Sequence, residues 1–213
     1  IEGMLSAMAN NDVDAFIAYG KAGPSDGAPF LDPSEGDLRK LFMPLSGEQR
    51  SRVTVTGILK HEQLGELLPI ASIVVVGSKA AEAFGMVTVE AMSAGVLPLS
   101  NDHSGLSDVL HAVNDVRPDL CEVMKLDTRG GGSHGTADGA YFCEILPSKI
   151  VAALRYMYPS GFADQTRRVE LAQELRAVVV KKFAWDGLCT ELLTPLSDIL
   201  PSREAVKKLT KKK

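Results

Sequence analysis

Short apolar runs alternate with stretches of helical periodicity along the chain. Apolar runs bounded by turn residues predict buried strands, and apolar positions three or four residues apart predict helices. The predicted strands span 14–19, 53–56, 73–76, 96–99 and 123–126. The predicted helices span 1–9, 37–42, 61–68, 86–94, 105–112, 147–158, 163–181 and 185–193. Strands that alternate with helices indicate an α/β protein whose parallel sheet is covered on both faces.

Two long stretches interrupt this alternation. Residues 20–36 predict a turn-rich loop, and 113–146 predict an irregular insertion with a flexible glycine-rich tip at 129–135. His134 lies in that tip and is expected to be an exposed loop residue rather than a ligand.

Composition and charge limit the class of protein. The chain has 213 residues, of which 45% are apolar, enough for a domain with a real core. Residues 203–213 hold six of the 23 Lys and Arg residues and one of the 27 acidic ones, so the rest of the chain is acidic. An acidic body argues against nucleic acid as a partner. We expect the basic tail to be a solvated C-terminus, with weak contact to an anionic membrane as the alternative.

Cysteine usage and hydropathy bear on the compartment. Cys121, Cys143 and Cys189 are odd in number and lack metal-ligand spacing, which favours a reducing compartment without disulfides. The longest apolar run, Leu67–Gly77, contains a proline and is too short to cross a bilayer. These features predict a cytoplasmic protein, and the basic tail leaves a membrane-peripheral location open.

Two glutamates bracket the junction between a predicted strand and a predicted helix. Glu82 precedes the helix, and Glu90 lies within it with seven residues between the two. Gly95 follows as the helix stop. A helix N-terminus after a strand carries free N–H groups and a positive dipole, which suit a phosphate group.

This motif resembles the donor-site motif of family 4 glycosyltransferases, enzymes with the two-domain GT-B fold. Other segments are similar to the family in the same order, so the resemblance covers most of 13–110 and 147–194. These segments are Val53–Leu64, Leu67–Gly77, Ala94–Leu99 with His103–Leu106, and Lys182–Asp186. The resemblance implies a Rossmann-like doubly wound parallel sheet, the C-terminal half of a GT-B fold. It also implies a nucleotide-sugar-binding domain at 1–194, followed by a C-terminal helix and basic tail at 195–213.

The resemblance implies roles for nine residues. Glu90 would accept ribose hydroxyls, and Glu82 would meet the donor sugar and stabilise positive charge at its anomeric carbon. A carboxylate is repelled by a diphosphate, so hydroxyl recognition suits both glutamates better than phosphate contact. Backbone N–H groups near the start of the helix would face the diphosphate, and a segment before the preceding helix would meet the nucleobase. The first set is Phe84, Gly85, Met86 and Val87; the second is Leu59, Lys60 and His61.

Structural roles are the alternative for several of these residues. Glu82 could stabilise the helix dipole, and Glu90 could be a solvated surface residue. His61 is expected at the surface at a helix start, ahead of any ligand role. The side chains of Phe84, Met86 and Val87 are expected in the core, and His103 and His111 are expected to be structural.

Two parts of the family pattern are missing from the sequence. One is the N-terminal domain that supplies the acceptor site, and the other is a first strand and loop with an Arg and a Lys that neutralise the diphosphate. Without that central strand, 13–19 and 73–76 would have unpaired inner edges. We therefore expect a fragment of a longer enzyme, or a chain that needs a partner segment.

The resemblance implies a retaining glycosyltransferase that moves a hexose from a nucleoside diphosphate sugar to an acceptor hydroxyl, without a cofactor or a metal. The acceptor, whether saccharide, lipid or small molecule, cannot be read from the sequence. A non-catalytic nucleotide-sugar-binding subunit is the main alternative, and a GT-B epimerase or phosphorylase is a third. A dinucleotide oxidoreductase is disfavoured because no G-x-G-x-x-G follows a predicted strand.

Overall fold

A computed structural model describes residues 2–22, 36, 39, 42–78, 81–126 and 139–197. The chain divides into two compact units, Ile1–Leu59 and Lys60–Lys213. The predicted domain at 1–194 spans this division and stays a prediction. The two units are described separately below.

In the first unit, two of the described helices pack around a small apolar cluster, and a third short helix follows. Helix α1 spans Glu2–Ala9, α2 spans Val13–Ala22 and α3 spans Gly47–Ser51. Ala7, Phe16 and Ile17 are buried in this cluster. The predicted helix at 1–9 is confirmed.

The predicted strand at 14–19 is wrong, because these residues belong to α2. Asp12 caps the first turn, since its carboxylate accepts the backbone N–H of Ala15 at 2.9 Å. Phe16 and Ile17 follow Val13 by three and four residues, so one helical face reaches the cluster. The apolar run at 14–19 therefore includes residues at helical spacing, which a continuous run of apolar residues does not reveal.

The predicted strand at 53–56 is also wrong. Its backbone has no strand assignment, and Val53 and Val55 are exposed. An extended segment needs a neighbouring strand for its N–H and C=O groups, and no strand is described within this unit. Gly57, which follows this segment, adopts a positive φ of 67°. The predicted loop at 20–36 is wrong for residues 20–22, which belong to α2, and 23–35 lie outside the described residues. Of the predicted helix at 37–42, Arg39 is helical and Phe42 is not.

The second unit is built on a parallel three-stranded sheet in the order β1-β2-β3. Strand β1 spans Ile73–Val76, β2 spans Leu97–Asn101 and β3 spans Lys125–Leu126. Ile73 pairs with Leu97 and Ser100 pairs with Lys125. All five residues of β2 are buried, as expected for the central strand of a covered sheet. The predicted strands at 73–76 and 96–99 are confirmed, and the α/β class with them.

Helices flank this sheet, and most lie close to their predicted positions. In chain order they are α4 (His61–Leu67), a 3₁₀ turn (Leu68–Ile70), α5 (Met86–Ser93), α6 (Ser104–Asn114), α7 (Pro118–Met124), α8 (Gly139–Met157), α9 (Thr166–Phe183) and α10 (Trp185–Ser197). The main difference is in the predicted insertion at 113–146, which contains α7 and the start of α8. Helix α7 begins with Pro118, a favoured first-turn residue, and buries Leu120 and Met124.

An ion-pair network links α8 and α9 to the residues around the start of α7. Glu174 accepts from Arg117 at 2.9 Å and from Arg167 at 2.9 Å. Arg117 also pairs with Asp119 at 2.8 Å, and Arg167 donates to the Tyr156 hydroxyl at 2.7 Å. Each carboxylate in the network therefore faces at least one guanidinium group.

Strand β1 lies at the edge of the described sheet. Its other edge pairs with no described strand, and Val75 is 40% exposed there. The unpaired edge predicted for 73–76 in the absence of a first strand stays a prediction. Within the described residues, no helix has the length and apolar character needed to cross a membrane. The basic tail at 198–213 lies outside the described residues.

Candidate functional site

The junction between β1 and α5 carries the bracketed motif. Gly85 stands just before α5 with φ 74° and ψ 45°, a left-handed conformation that favours glycine. A Cβ on Gly85 would come within 2.5 Å of the Leu106 Cδ2 atom. The left-handed backbone and the packing against α6 both favour glycine at this position.

The start of α6 holds the backbone of Glu82. The Glu82 N–H donates to the Ser104 Oγ atom at 3.0 Å, and the Glu82 carbonyl accepts the Gly105 N–H at 2.8 Å. Among the described residues, no hydrogen bond or ion pair engages the Glu82 carboxylate. The main chain of this residue is anchored, and its carboxylate is available.

His103 is buried beside this contact. Its Nδ1 atom lies 3.0 Å from Ser104 Oγ and its Nε2 atom 2.7 Å from the carbonyl oxygen of Ser78. A carbonyl only accepts, so Nε2 carries a proton, and in the neutral ring Nδ1 accepts the serine hydroxyl. The expected structural role of His103 fits this geometry, whereas His111 is exposed on α6.

A salt bridge lies at the same end of the sheet. Lys125 in β3 pairs with Asp102 after β2 at 2.5 Å, and the Ser107 hydroxyl donates to Asp102 at 2.8 Å. Burial opposes ionisation of Asp102, but the hydrogen bonds from Lys125 and Ser107 outweigh it and lower its pKa. Asp102 is therefore ionised at neutral pH and holds the loop between β2 and α6.

Glu90 lines a cleft of about 400 Å³ beside the C-terminal half of α5. The cleft joins helix α4, the 3₁₀ turn, α5 and one residue of α9. Its described lining residues are His61, Leu64, Gly65, Leu68, Pro69, Glu90, Ser93, Ala94 and Arg176. The Glu90 carboxylate has no hydrogen-bond partner among the described residues. The cleft thus combines an unengaged carboxylate, two basic side chains and apolar walls.

The segment predicted to meet the nucleobase is only partly at this cleft. His61 lines the cleft, and it is also exposed at the start of α4, as predicted. Lys60 is the exposed residue before α4, where its backbone N–H donates to Gln63 at 2.9 Å. Leu59 is the last residue of the first unit. The structure therefore brings His61 and Glu90 together within one unit.

Three side chains predicted in the core are exposed. Phe84 is 38% exposed, Val87 is 45% exposed and Met86 is 57% exposed. Helix α5 buries Thr88, Val89, Ala91 and Met92 instead, so the first turn projects away from the core. Phe84 packs edge-on against Phe183, with ring centroids 5.8 Å apart. The side chains of this turn are therefore accessible to a ligand, whereas Gly85 is buried against Leu106.

Sequence reasoning missed Arg176. Its Nε atom donates to the Ser93 carbonyl at 3.2 Å and its Nη2 atom to the Ala94 carbonyl at 2.9 Å. The contact joins residues more than eighty positions apart, so no local pattern could have indicated it. Arg176 thereby places a positive charge at the C-terminal end of α5 and beside the cleft.

No group of three or more His, Cys, Asp or Glu residues within the described ranges could hold a metal ion.

Residues 44–114 match the family model described as glycosyl transferases, group 1. The matched segment contains β1, both motif glutamates, α5, β2 and α6. The match supports a GT-B glycosyltransferase domain, with glycosyl transfer as its general activity. Neither the curated proteins nor the solved structures yielded a match to the chain.

Proposed function

We propose that the chain forms the donor-binding half of a retaining family 4 glycosyltransferase. Such an enzyme transfers a hexose from a nucleoside diphosphate sugar to an acceptor hydroxyl. The observation that carries the proposal is the position of Glu90, one turn into α5, with its carboxylate in a cleft large enough for a nucleoside. The acceptor would bind in a separate N-terminal GT-B domain.

The start of α5 supports a diphosphate site. The first N–H groups of a helix have no partner within it, and the helix dipole is positive there. Gly85 is buried beside α6, and the side chains of Met86 and Val87 in the first turn are exposed. The diphosphate would accept hydrogen bonds from the backbone of these three residues.

Glu90 supports recognition of the ribose. Residues 86 and 90 lie on the same face of α5, about one turn apart, so a ribose attached to the diphosphate would reach the carboxylate. A carboxylate accepts two hydroxyl hydrogen bonds at once and has no other partner here. The base would then enter the cleft between the apolar residues Leu64 and Leu68 and the polar His61.

Glu82 would act on the sugar. It lies on the β1 side of the same helix start, and its backbone is held by Ser104 and Gly105. Its carboxylate would accept sugar hydroxyls and stabilise positive charge as the bond to the diphosphate breaks. In a retaining reaction without a protein nucleophile, the acceptor hydroxyl attacks from the face that the phosphate leaves.

Calorimetric titration of the chain with UDP, GDP and ADP, and with their glucose conjugates, tests this proposal. We expect one nucleoside diphosphate to bind, and Glu90→Ala to weaken it by about tenfold, because charge-assisted hydrogen bonds to the ribose are lost. Glu66→Ala is the matched control, because Glu66 is an exposed glutamate on α4 that does not line the cleft.

Two results would count against the proposal. If the folded chain binds none of the nucleotides, the proposed donor site is refuted. Equal effects of Glu90→Ala and Glu66→Ala would place the nucleotide elsewhere. Binding without turnover after addition of an N-terminal GT-B domain and acceptors would instead favour a non-catalytic nucleotide-sugar-binding subunit.

A further inference from the structure

We infer that Ser104 is a positioning residue for Glu82, and that His103 sets the direction of the Ser104 hydroxyl. This inference rests on the proposed role of Glu82 at the donor sugar. It adds a specificity element at the start of α6, outside the bracketed motif.

The first observation is the two-point attachment of Glu82. Its N–H donates to the Ser104 side chain, and its carbonyl accepts from the next backbone N–H, at Gly105. Two hydrogen bonds in opposite directions fix the peptide planes on both sides of one residue. The Cα–Cβ direction of Glu82, and therefore the region its carboxylate can reach, depends on this attachment.

The second observation is the backbone of Ser104. Its φ is 48°, in the left-handed region where residues other than glycine are uncommon. Ser104 adopts this uncommon conformation, and its hydroxyl accepts a hydrogen bond from the Glu82 N–H. Strained residues held by their surroundings cluster at functional sites, and here the strain accompanies a specific contact.

The third observation is the chain of hydrogen bonds behind Ser104. His103 is 3% exposed and donates from Nε2 to the Ser78 carbonyl. Its Nδ1 atom accepts a hydrogen bond from the Ser104 hydroxyl, which leaves the lone pairs of Ser104 Oγ for the Glu82 N–H. Since Ser78 follows β1, these hydrogen bonds link both Ser78 and Glu82 to residues at the start of α6.

The fourth observation is the close approach of the loop to α6. A Cβ on Gly105 would lie 2.4 Å from the carbonyl carbon of Ala83 and from the backbone nitrogen of Phe84. The backbone after Glu82 therefore lies directly on the start of α6. A shift of α6 would therefore move the backbone after Glu82 directly, because no side chain lies between them.

The test compares the affinity for a nucleoside diphosphate with that for its glucose conjugate. Ser104→Gly relieves the backbone strain and removes the hydroxyl, so the fold is retained while the contact is lost. We expect the affinity for the nucleoside diphosphate to stay unchanged and the gain from glucose to fall by about fivefold to tenfold. Ser107→Ala removes a hydroxyl one turn further along α6, where it contacts Asp102, and should change neither affinity.

A second readout needs no ligand. Hydrogen exchange of the Glu82 amide should be protected in the wild type and in Ser107→Ala, and should accelerate in Ser104→Gly. A merely structural role for Ser104 would change exchange across α6 or weaken both ligands equally.

The outcomes separate this inference from the proposed function. If the wild type binds no nucleotide, the proposed function fails and the inference with it. If Glu82→Gln abolishes the gain from glucose but Ser104→Gly does not, the proposed function stands and the inference is overturned. An unprotected Glu82 amide in the wild type would also overturn it.

Discussion

Gly85 and Leu106 approach so closely that a single methyl group on the glycine would reach 2.5 Å from the leucine Cδ2 atom. This contact joins the start of α5 to α6 and defines the spacing between the proposed diphosphate site and the loop that holds Glu82. Position 85 therefore favours glycine for two reasons: its backbone is left-handed, and the contact with Leu106 leaves no space for a side chain.

Substitution Gly85→Ala should destabilise the protein by about 2–4 kcal/mol, because it combines a left-handed alanine with an overpacked contact. Urea unfolding followed by circular dichroism measures the change. Gly161→Ala is the control, since Gly161 also has a positive φ but no neighbour within 4 Å of the added Cβ. Equal losses in the two variants would show that Leu106 adjusts and that only the backbone conformation matters.

Arg176 should contribute to stability through the end of α5. We expect Arg176→Met to cost about 1–2 kcal/mol, because two charge-assisted hydrogen bonds to helix-terminal carbonyls are lost while the aliphatic stem remains. Arg168→Met should cost less, because Arg168 reaches the carbonyls of Pro69 and Ala71 at the longer distances of 3.4 and 3.2 Å. A larger loss for Arg168→Met in thermal unfolding would contradict this ranking.

The ion-pair network should make stability depend on pH in the acid range. The hydrogen bond from Arg117 lowers the pKa of Asp119 to about 2, and the hydrogen bond from Arg167 lowers the pKa of Glu174. Carboxylates with lowered pKa values stabilise the fold above their unfolded values near 4, and this contribution is lost as pH falls towards 2. Asp119 is more than half exposed, so its contribution at neutral pH should be under about 1 kcal/mol.

Asp119→Asn tests that dependence. Its deficit in unfolding free energy relative to the wild type should be constant from pH 7 to 5 and shrink between pH 4 and 2. Asp108→Asn, at an exposed position of α6 outside the network, should follow the wild-type profile. A deficit of Asp119→Asn that grows on acidification would have the wrong sign for this explanation.

The two described free cysteines should differ in reactivity. Burial raises the pKa of the Cys121 thiol, whose Sγ atom donates to the Leu110 carbonyl at 3.3 Å, whereas Cys189 is exposed. In a Cys143→Ser background at pH 8, a thiol reagent should modify Cys189 rapidly and Cys121 only on unfolding. Peptide mass spectrometry identifies the modified residue, and rapid labelling of Cys121 in the native protein would contradict the expectation.

Local signals predicted much of the second unit. The apolar run before Glu82 became β1, and Gly95 ends α5 with N–H groups at 95 and 96 bonded back to Met92 and Ala91. These elements depend on residues within one turn or one short strand. The prediction of a strand at 14–19 was wrong because the local pattern there is ambiguous. Its apolar residues satisfy both a strand and a helix, and the partner against which they pack decided between the two.

The candidate site divides in a similar way. The spacing of residues along the chain was enough to predict two glutamates at a helix start after a buried strand. The three-dimensional packing was needed to show that Glu90 faces a cleft with His61 and Arg176, that Phe84 and Met86 are exposed, and that Ser104 holds Glu82. Those relationships join segments from twenty to more than eighty residues apart. They arise from the packing of helices on the sheet, which no local pattern of residue types specifies.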